Sequence, residues 1–326
     1  MGMDRLGITL ASLGALGVPG GLSIARTAQE LGYQSFWVAE TVGTEAFSLL
    51  AAVNATAPRL GLGTGVLAVQ LRTPPLVAMG ASTLQALAPD QDVFIGVGIS
   101  SPVVARQWHG AEYGDRPVAR MREYLTLLRL CLSGEPVTFQ GDFWSVRKFR
   151  LGIKLGDRRP KIILGALGPQ MLKLGGQLAD GVLLNYLPAT HVPWSIEQIR
   201  QGGAAGIYAY VHAGVVADRA DGIDLARRDL FSYAVVDGYA RNFTLAGFGD
   251  EVAACRAAHA VGDRAGALAA ISERMVDAID FMGDHDQVRR FVRAYVDHGV
   301  EVPILMPLPW GRDRLAVTAA TLAAAR

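Results

Sequence analysis

The chain has 326 residues, 51% of them hydrophobic and only 8% aromatic, with 31 basic against 30 acidic side chains. That length supports a large aliphatic core, and a net charge of +1 argues against bulk electrostatic binding to nucleic acid or to an anionic membrane. Cys131 and Cys255 lie in helical patterns without metal-ligand spacing, as expected of reduced, buried thiols in a cytoplasmic protein. The opening MGMDRLGITL carries an acid and runs straight into a strand, unlike a signal peptide, and no apolar run reaches membrane-span length without Gly, Pro or polar interruption.

Short apolar runs alternate with amphipathic stretches. Strands are expected at residues 6–10, 35–39, 60–64, 92–97, 161–166, 181–185, 207–215 and 302–307. Between them LSIARTAQELG, AFSLLAAVNAT, LVAMGASTLQALA, REYLTLLRLCLSG, QMLKLGGQLA and QVRRFVRAYVDHG carry apolar residues at helical spacing, several ending in a glycine suited to a C-terminal cap. This alternation specifies an α/β fold, a (β/α)8 TIM barrel spanning residues 1–326 as one domain. Two gaps exceed a simple connection. Residues 133–160 hold PVTFQGDFWSVRKF, a hairpin with a Gln-Gly-Asp turn, and residues 216–283 hold several helical segments suited to a lid or a subunit contact.

In such barrels the site lies at the C-terminal ends of the strands. Those ends read Ser12, Glu40 and Thr41, Gly65 and Val66, Gly98 to Ser101, Gly165 to Gly168, Asn185 and Tyr186, and His212. They contain no paired acids, no Ser-His-Asp order, no thiol beside a histidine and no metal-ligand spacing. A glycine-lined mouth short of acids and bases suits an enzyme whose cofactor carries the reaction. In LGALGPQMLKLGGQLADG the turn Gly165-Ala166-Leu167-Gly168 opens a helix at Pro169. Its exposed N–H groups offer a phosphate site, or else the turn uses glycine only for its dihedrals.

Six ordered stretches resemble the bacterial-luciferase-like flavin and deazaflavin oxidoreductases, in particular the branch that uses coenzyme F420: ARTAQELGYQSFWVAE, LGLGTGVLAVQLRTP, FIGVGISSP, KIILGALGPQMLKLGGQLADGVLLN, FMGDHDQVRRFVRAYVDHGV and VPILMP. The resemblance implies a hydride-transferring oxidoreductase acting on a small organic substrate, with a homodimer as the expected assembly. It implies a non-prolyl cis peptide at Gly65–Val66 behind the cofactor ring, and ring or phosphate contacts from Glu40, Gly98, Gly165, Ala166, Leu167, Gly168 and Asn185. It also raises Arg72 from a solvated helix cation to a partner for the cofactor's phosphate or acidic tail. FMN, working with oxygen in a monooxygenase, shares this frame and is the alternative cofactor. A non-catalytic deazaflavin-binding protein is the third reading.

The departures narrow the function. Sugar-phosphate dehydrogenases of this family place a histidine after the acid, a tryptophan nearby and a glutamate on the fourth-strand loop. Here Thr41, Glu45 and Ser101 hold those places, which argues against glucose-6-phosphate oxidation. The remaining catalytic candidates are Glu40 and His109, each with a bland alternative: a salt-bridged strand-end acid and a surface-loop histidine. His212 is read as a satisfied core histidine. Trp108, Trp144 and Trp194 either wall a substrate pocket or pack an insertion.

Overall fold

The computed structural model describes residues 2–10, 15–216, 218–311 and 313–326, so Ser12 lies outside the described residues. The first half of the chain builds β1 (Gly7–Thr9), α1 (Gly17–Glu30), β2 (Ser35–Val38), α2 (Ala46–Thr56), β3 (Gly61–Ala68), α3 (Pro74–Leu87), β4 (Val93–Gly98) and α4 (Pro117–Leu132). A hairpin follows, β5 (Val137–Gln140) with β6 (Ser145–Phe149), antiparallel across the expected Gly141-Asp142 turn. Then come β7 (Lys161–Gly165), α5 (Pro169–Leu178), β8 (Gly181–Leu184), α6 (Val192–Arg200) and β9 (Gly206–Val215). An insertion supplies α7 (Ala220–Ala234), α8 (Asp237–Phe243), α9 (Gly249–Ala260), α10 (Arg264–Ala269) and α11 (Glu273–Ile279). The chain closes with β10 (Asp280–Gly283), α12 (His285–Asp297), β11 (Val302–Pro307) and α13 (Arg314–Ala325).

Strands β1, β2, β3, β4, β7, β8, β9 and β11 pair in parallel and close into a barrel, since β11 returns to β1 and β8 pairs with β9. The eight expected strands are therefore all present, in the expected (β/α)8 TIM-barrel arrangement. Sequence reading missed β10. It takes over the edge of β9 that β8 leaves when it ends at Leu184, with Asp280 opposite His212 and Gly283 opposite Val215.

Alternation along the strands produces two cores. Trp37, Phe94, Ile163, Leu183, Tyr208, Tyr210, Ile304 and Met306 fill the barrel, with the Trp37 and Phe94 rings stacked 5.0 Å apart. The opposite faces pack on the helical ring through aliphatic residues such as Ile8, Phe36, Leu62, Ile95 and Leu164. A separate buried cluster built on Leu230, Phe243, Cys255, Met275 and Ile279 holds the insertion together. Both cysteines are buried and free, and burial pushes the Cys131 thiol up to about 11. Among the described residues, no helix is long and apolar enough to cross a membrane.

Candidate functional site

The mouth of the barrel is shaped first by a break in β3. Its register with β4 shifts between Thr64 and Leu67, and the Gly65–Val66 peptide is cis. The Tyr210 hydroxyl, rising from the barrel interior, donates to the Gly65 carbonyl at 2.7 Å. Val66 then stands between two glycines. A Cβ on Gly98 would meet Val66 Cγ2 at 2.8 Å, and one on Gly165 would meet Val66 Cγ1 at 3.1 Å. The three residues form one apolar surface at the ends of β3, β4 and β7, and the glycines are there because Val66 occupies the space their side chains would need.

Gly168 is different. It is the residue ahead of α5, with φ −87° and ψ 157°, an extended conformation open to any amino acid. A Cβ built there meets nothing within 4 Å. The dihedral explanation for this glycine is thereby removed. The space beside it is open where α5 begins, next to Pro169, which has no N–H of its own.

Glu40 and Arg72 are brought together on the β2 side of the mouth. Arg72 Nε donates to Glu40 Oε2 at 2.8 Å and Nη2 to Oε1 at 2.7 Å, while the Ala46 N–H donates to Oε1 at 3.1 Å. Arg72 also reaches Glu45, whose carboxylate caps α2 by accepting from Ser48 N–H at 2.7 Å. Burial opposes ionisation of Glu45, but the Ser48 and Phe47 donors and the Arg72 cation prevail and hold its carboxyl below the usual range. Arg72 in turn is raised above the ordinary guanidinium, first by its hydrogen bond to Glu40. His109, just after the turn Val103–Trp108, places Nε2 2.6 Å from the Thr41 carbonyl and so ties the β4 loop to the β2 loop. Trp108 is exposed, Trp144 packs edge-on against Tyr124, and Trp194 stacks on His191.

The remaining strand ends hold a buried polar chain. Asn185 Oδ1 accepts from the Tyr186 N–H and lies 2.9 Å from His212 Nε2, and His212 Nδ1 lies 3.0 Å from Asp280 Oδ1. The Tyr186 hydroxyl donates to Asp229 Oδ2 at 2.8 Å. Tyr186 has φ +49°, a left-handed conformation rare for a tyrosine, and its carbonyl accepts from Asn242 Nδ2 at 3.0 Å. His212, Asp229 and Asp280 place one ligand-type atom each within 4.8 Å of one another. Tyr186, His212 and Asp229 face an open cavity of about 390 Å³, lined also by Tyr233, Met306 and Trp310. Sequence reading reached Asn185, Tyr186 and His212 as strand ends but missed Asp229 and Asp280. These lie 17 and 68 residues beyond His212 in chain number, and only the pairing of β10 with β9 brings Asp280 alongside.

The family model of the luciferase-like monooxygenases matches residues 15–301 of this chain. The 5,10-methylenetetrahydromethanopterin reductase of Archaeoglobus fulgidus is 25% identical over 307 residues, 89% of each chain. A Mycobacterium tuberculosis protein, named provisionally as a coenzyme F420-dependent oxidoreductase, is 30% identical over 201 residues. That match covers 58% of this chain and spans little more than half, 56%, of the relative. Among solved structures, the coenzyme F420-dependent tetrahydromethanopterin reductase of Methanopyrus kandleri superposes with a TM-score of 0.74 at 19% identity, covering 98% of this chain and 97% of that one, a likeness of fold. The closed barrel and the matched span agree: the chain belongs to the luciferase-like monooxygenase family.

Proposed function

We propose that this protein is an F420-dependent oxidoreductase that moves a hydride between the deazaflavin ring and a small organic substrate. The observation that carries this reading is Gly168, an extended residue with open space where its side chain would be, set at the start of α5. A phosphate there would meet the N–H groups of the first helical turn and the positive end of the helix dipole. The apolar surface of Val66 between Gly98 and Gly165 suits the face of a flat ring. The name of the Mycobacterium relative, which carries coenzyme F420, supports the deazaflavin over FMN.

When bound, the deazaflavin supplies a two-electron hydride at its ring carbon. The chain's residues supply the frame. Val66 would back the ring, the turn Gly165-Ala166-Leu167-Gly168 would hold the phosphate, and Asn185 would give a neighbouring polar contact. Arg72 already has two carboxylate partners, so at the mouth it would fix Glu40 in place as a rigid wall. Both Glu40 oxygens are engaged in hydrogen bonds.

The direct check is the affinity of the Gly168→Val variant for F420, followed by the cofactor's fluorescence. The reading expects affinity to fall at least tenfold while the thermal midpoint stays at that of the parent. Unchanged affinity in the folded variant would remove the phosphate assignment.

A further inference from the structure

We propose that Asp229 is the residue that exchanges a proton with the substrate, that the cavity beside it is the substrate's place, and that Asp280 and His212 are positioning residues behind it. The proposal rests on the hydride-transfer reading above, and supplies the acid–base group that the strand ends lack.

The hydrogen-bond directions assign the protons. Asn185 Oδ1 already accepts from the Tyr186 N–H, so its 2.9 Å contact with His212 Nε2 requires that nitrogen to donate. His212 Nδ1 then faces Asp280 Oδ1 at 3.0 Å with one proton between them. The side chains are 2% and 0% exposed, and burial drives the imidazolium down to about 4, so the neutral ring is the stable form and the proton belongs to Asp280. The other oxygen, Asp280 Oδ2, is buried with no amide or hydroxyl donor, so the bond open to this acid is a proton shared with the Asp229 carboxyl beside it. Asp229, with an atom of its carboxyl inside the same 4.8 Å cluster, cannot ionise independently of it. Both acids are pushed up to about 7, first by burial; for Asp229 the next cause is the repulsion it would meet from an ionised Asp280.

The groups facing this pair come from several elements: Tyr186 and His212 at the strand ends, Tyr233 on α7, Tyr239 on α8, Tyr295 on α12 and Arg314 at the cavity rim. Tyr186 packs against this assembly, edge-on to the His212 ring at 4.3 Å and tilted against Tyr233 at 3.9 Å between centroids, while held in its left-handed conformation. A residue kept in a sparsely populated conformation so that its hydroxyl meets Asp229 is a feature of sites rather than of plain packing. Asp280 is sealed. Of the two acids, only Asp229 lines the cavity.

The cavity's apolar walls, Leu225, Met306, Leu308 and Trp310, suit a compact organic molecule with a polarised carbon–oxygen or carbon–nitrogen double bond. In the reducing direction the substrate carbon accepts the hydride, the π pair moves to the heteroatom, and that atom takes the proton from Asp229. The substrate gains the two electrons that the deazaflavin loses. The reduced ring's N–H proton passes to water, and Asp229 regains a proton from water at the cavity mouth. In the oxidising direction Asp229 takes the hydroxyl or amine proton as the hydride departs.

The test needs no substrate. Infrared spectra of the F420-loaded protein should show a carboxylic acid C=O band that persists at pH 6 and is lost as the pH rises through about 7. Asp229→Asn should remove or shift that band while leaving F420 affinity within twofold. Tyr186→Phe, which keeps the ring, should move its loss to higher pH, because the hydroxyl stabilises the carboxylate. Absence of any acid band at pH 6, or a band of unchanged position and pH dependence in Asp229→Asn, would overturn the proposal. Loss of the band on adding zinc at pH 6, reversed by a chelator, would equally overturn it in favour of a cation site. Failure of the loaded state to form at all would fall on the cofactor assignment, a separate result.

Discussion

Arg72 and Glu40 meet through two parallel hydrogen bonds, 2.8 and 2.7 Å long, that join the end of β2 to the loop after β3. The pair is only 18% and 13% exposed, and the same guanidinium holds Glu45 beside Glu40. Removing the cation would leave two carboxylates facing each other in a half-buried place. Arg72→Met is therefore expected to destabilise the fold by about 1–3 kcal/mol, read as a lower denaturation midpoint at an unchanged m value. An equally stable variant would show that the pair is solvated and structurally idle.

Gly98 and Gly165 should behave unlike Gly168. Alanine at Gly98 drives into Val66 Cγ2, so it is expected to cost about 1–3 kcal/mol and to weaken deazaflavin binding by displacing Val66. Adding Val66→Ala should restore the stability, since the two changes share one space. Additive losses in the double variant would mean that the clash is not between these two side chains.

Stability should fall as pH rises toward neutrality. The folded chain binds protons at Asp229 and Asp280 up to about 7, whereas the ordinary carboxyl value is 3.8, so between these values the folded state holds more protons than the unfolded one. His212 acts in the opposite sense. Its folded value near 4 lies below the ordinary 6.5, so its contribution rises with pH over that interval and is complete above it. Two carboxyls outweigh one imidazole, and from about pH 6.5 upward only the carboxyls still act, at ~1.4 kcal/mol per pH unit for each extra proton held. Thermal midpoints should decline as pH rises from about 4 to about 7 and level off above it, and Asp280→Asn should flatten the decline. A midpoint that rises with pH in the parent would contradict the proton assignment.

For any substrate that the loaded enzyme turns over, Asp229→Asn should lower kcat by about 10²–10⁴ with F420 affinity preserved. The limb of the pH profile near neutrality should disappear with it. Retention of full turnover and of that limb would place the proton transfer elsewhere.

Most of the frame was legible because it is written in local periodicity. Runs such as KIILGA and VPILMP can bury both faces only in a parallel sheet, and the intervening helices carry their apolar stripes at regular spacing. The glycine turn before Pro169 was legible too, although only coordinates show that Gly168 has an extended backbone beside open space. What could not be read was the insertion's contribution. Asp229 sits on an amphipathic helix among ordinary surface charges, and Asp280 begins a four-residue strand too short to have a pattern. The pairing of Asp280 with His212 depends on β9 outlasting β8 and accepting β10 along its upper edge, and Asp229 joins them from α7. The same tertiary fact turns His212 from an isolated strand histidine into one link of a chain, satisfied and yet facing the cavity.

The central claim is the identity of the cofactor, and equilibrium titration of the purified protein with F420 and with FMN in parallel, oxidised and reduced, tests it most directly. Saturable binding of the deazaflavin is expected, with FMN at least a hundredfold weaker. Preferential binding of FMN, or binding of neither, would contradict it.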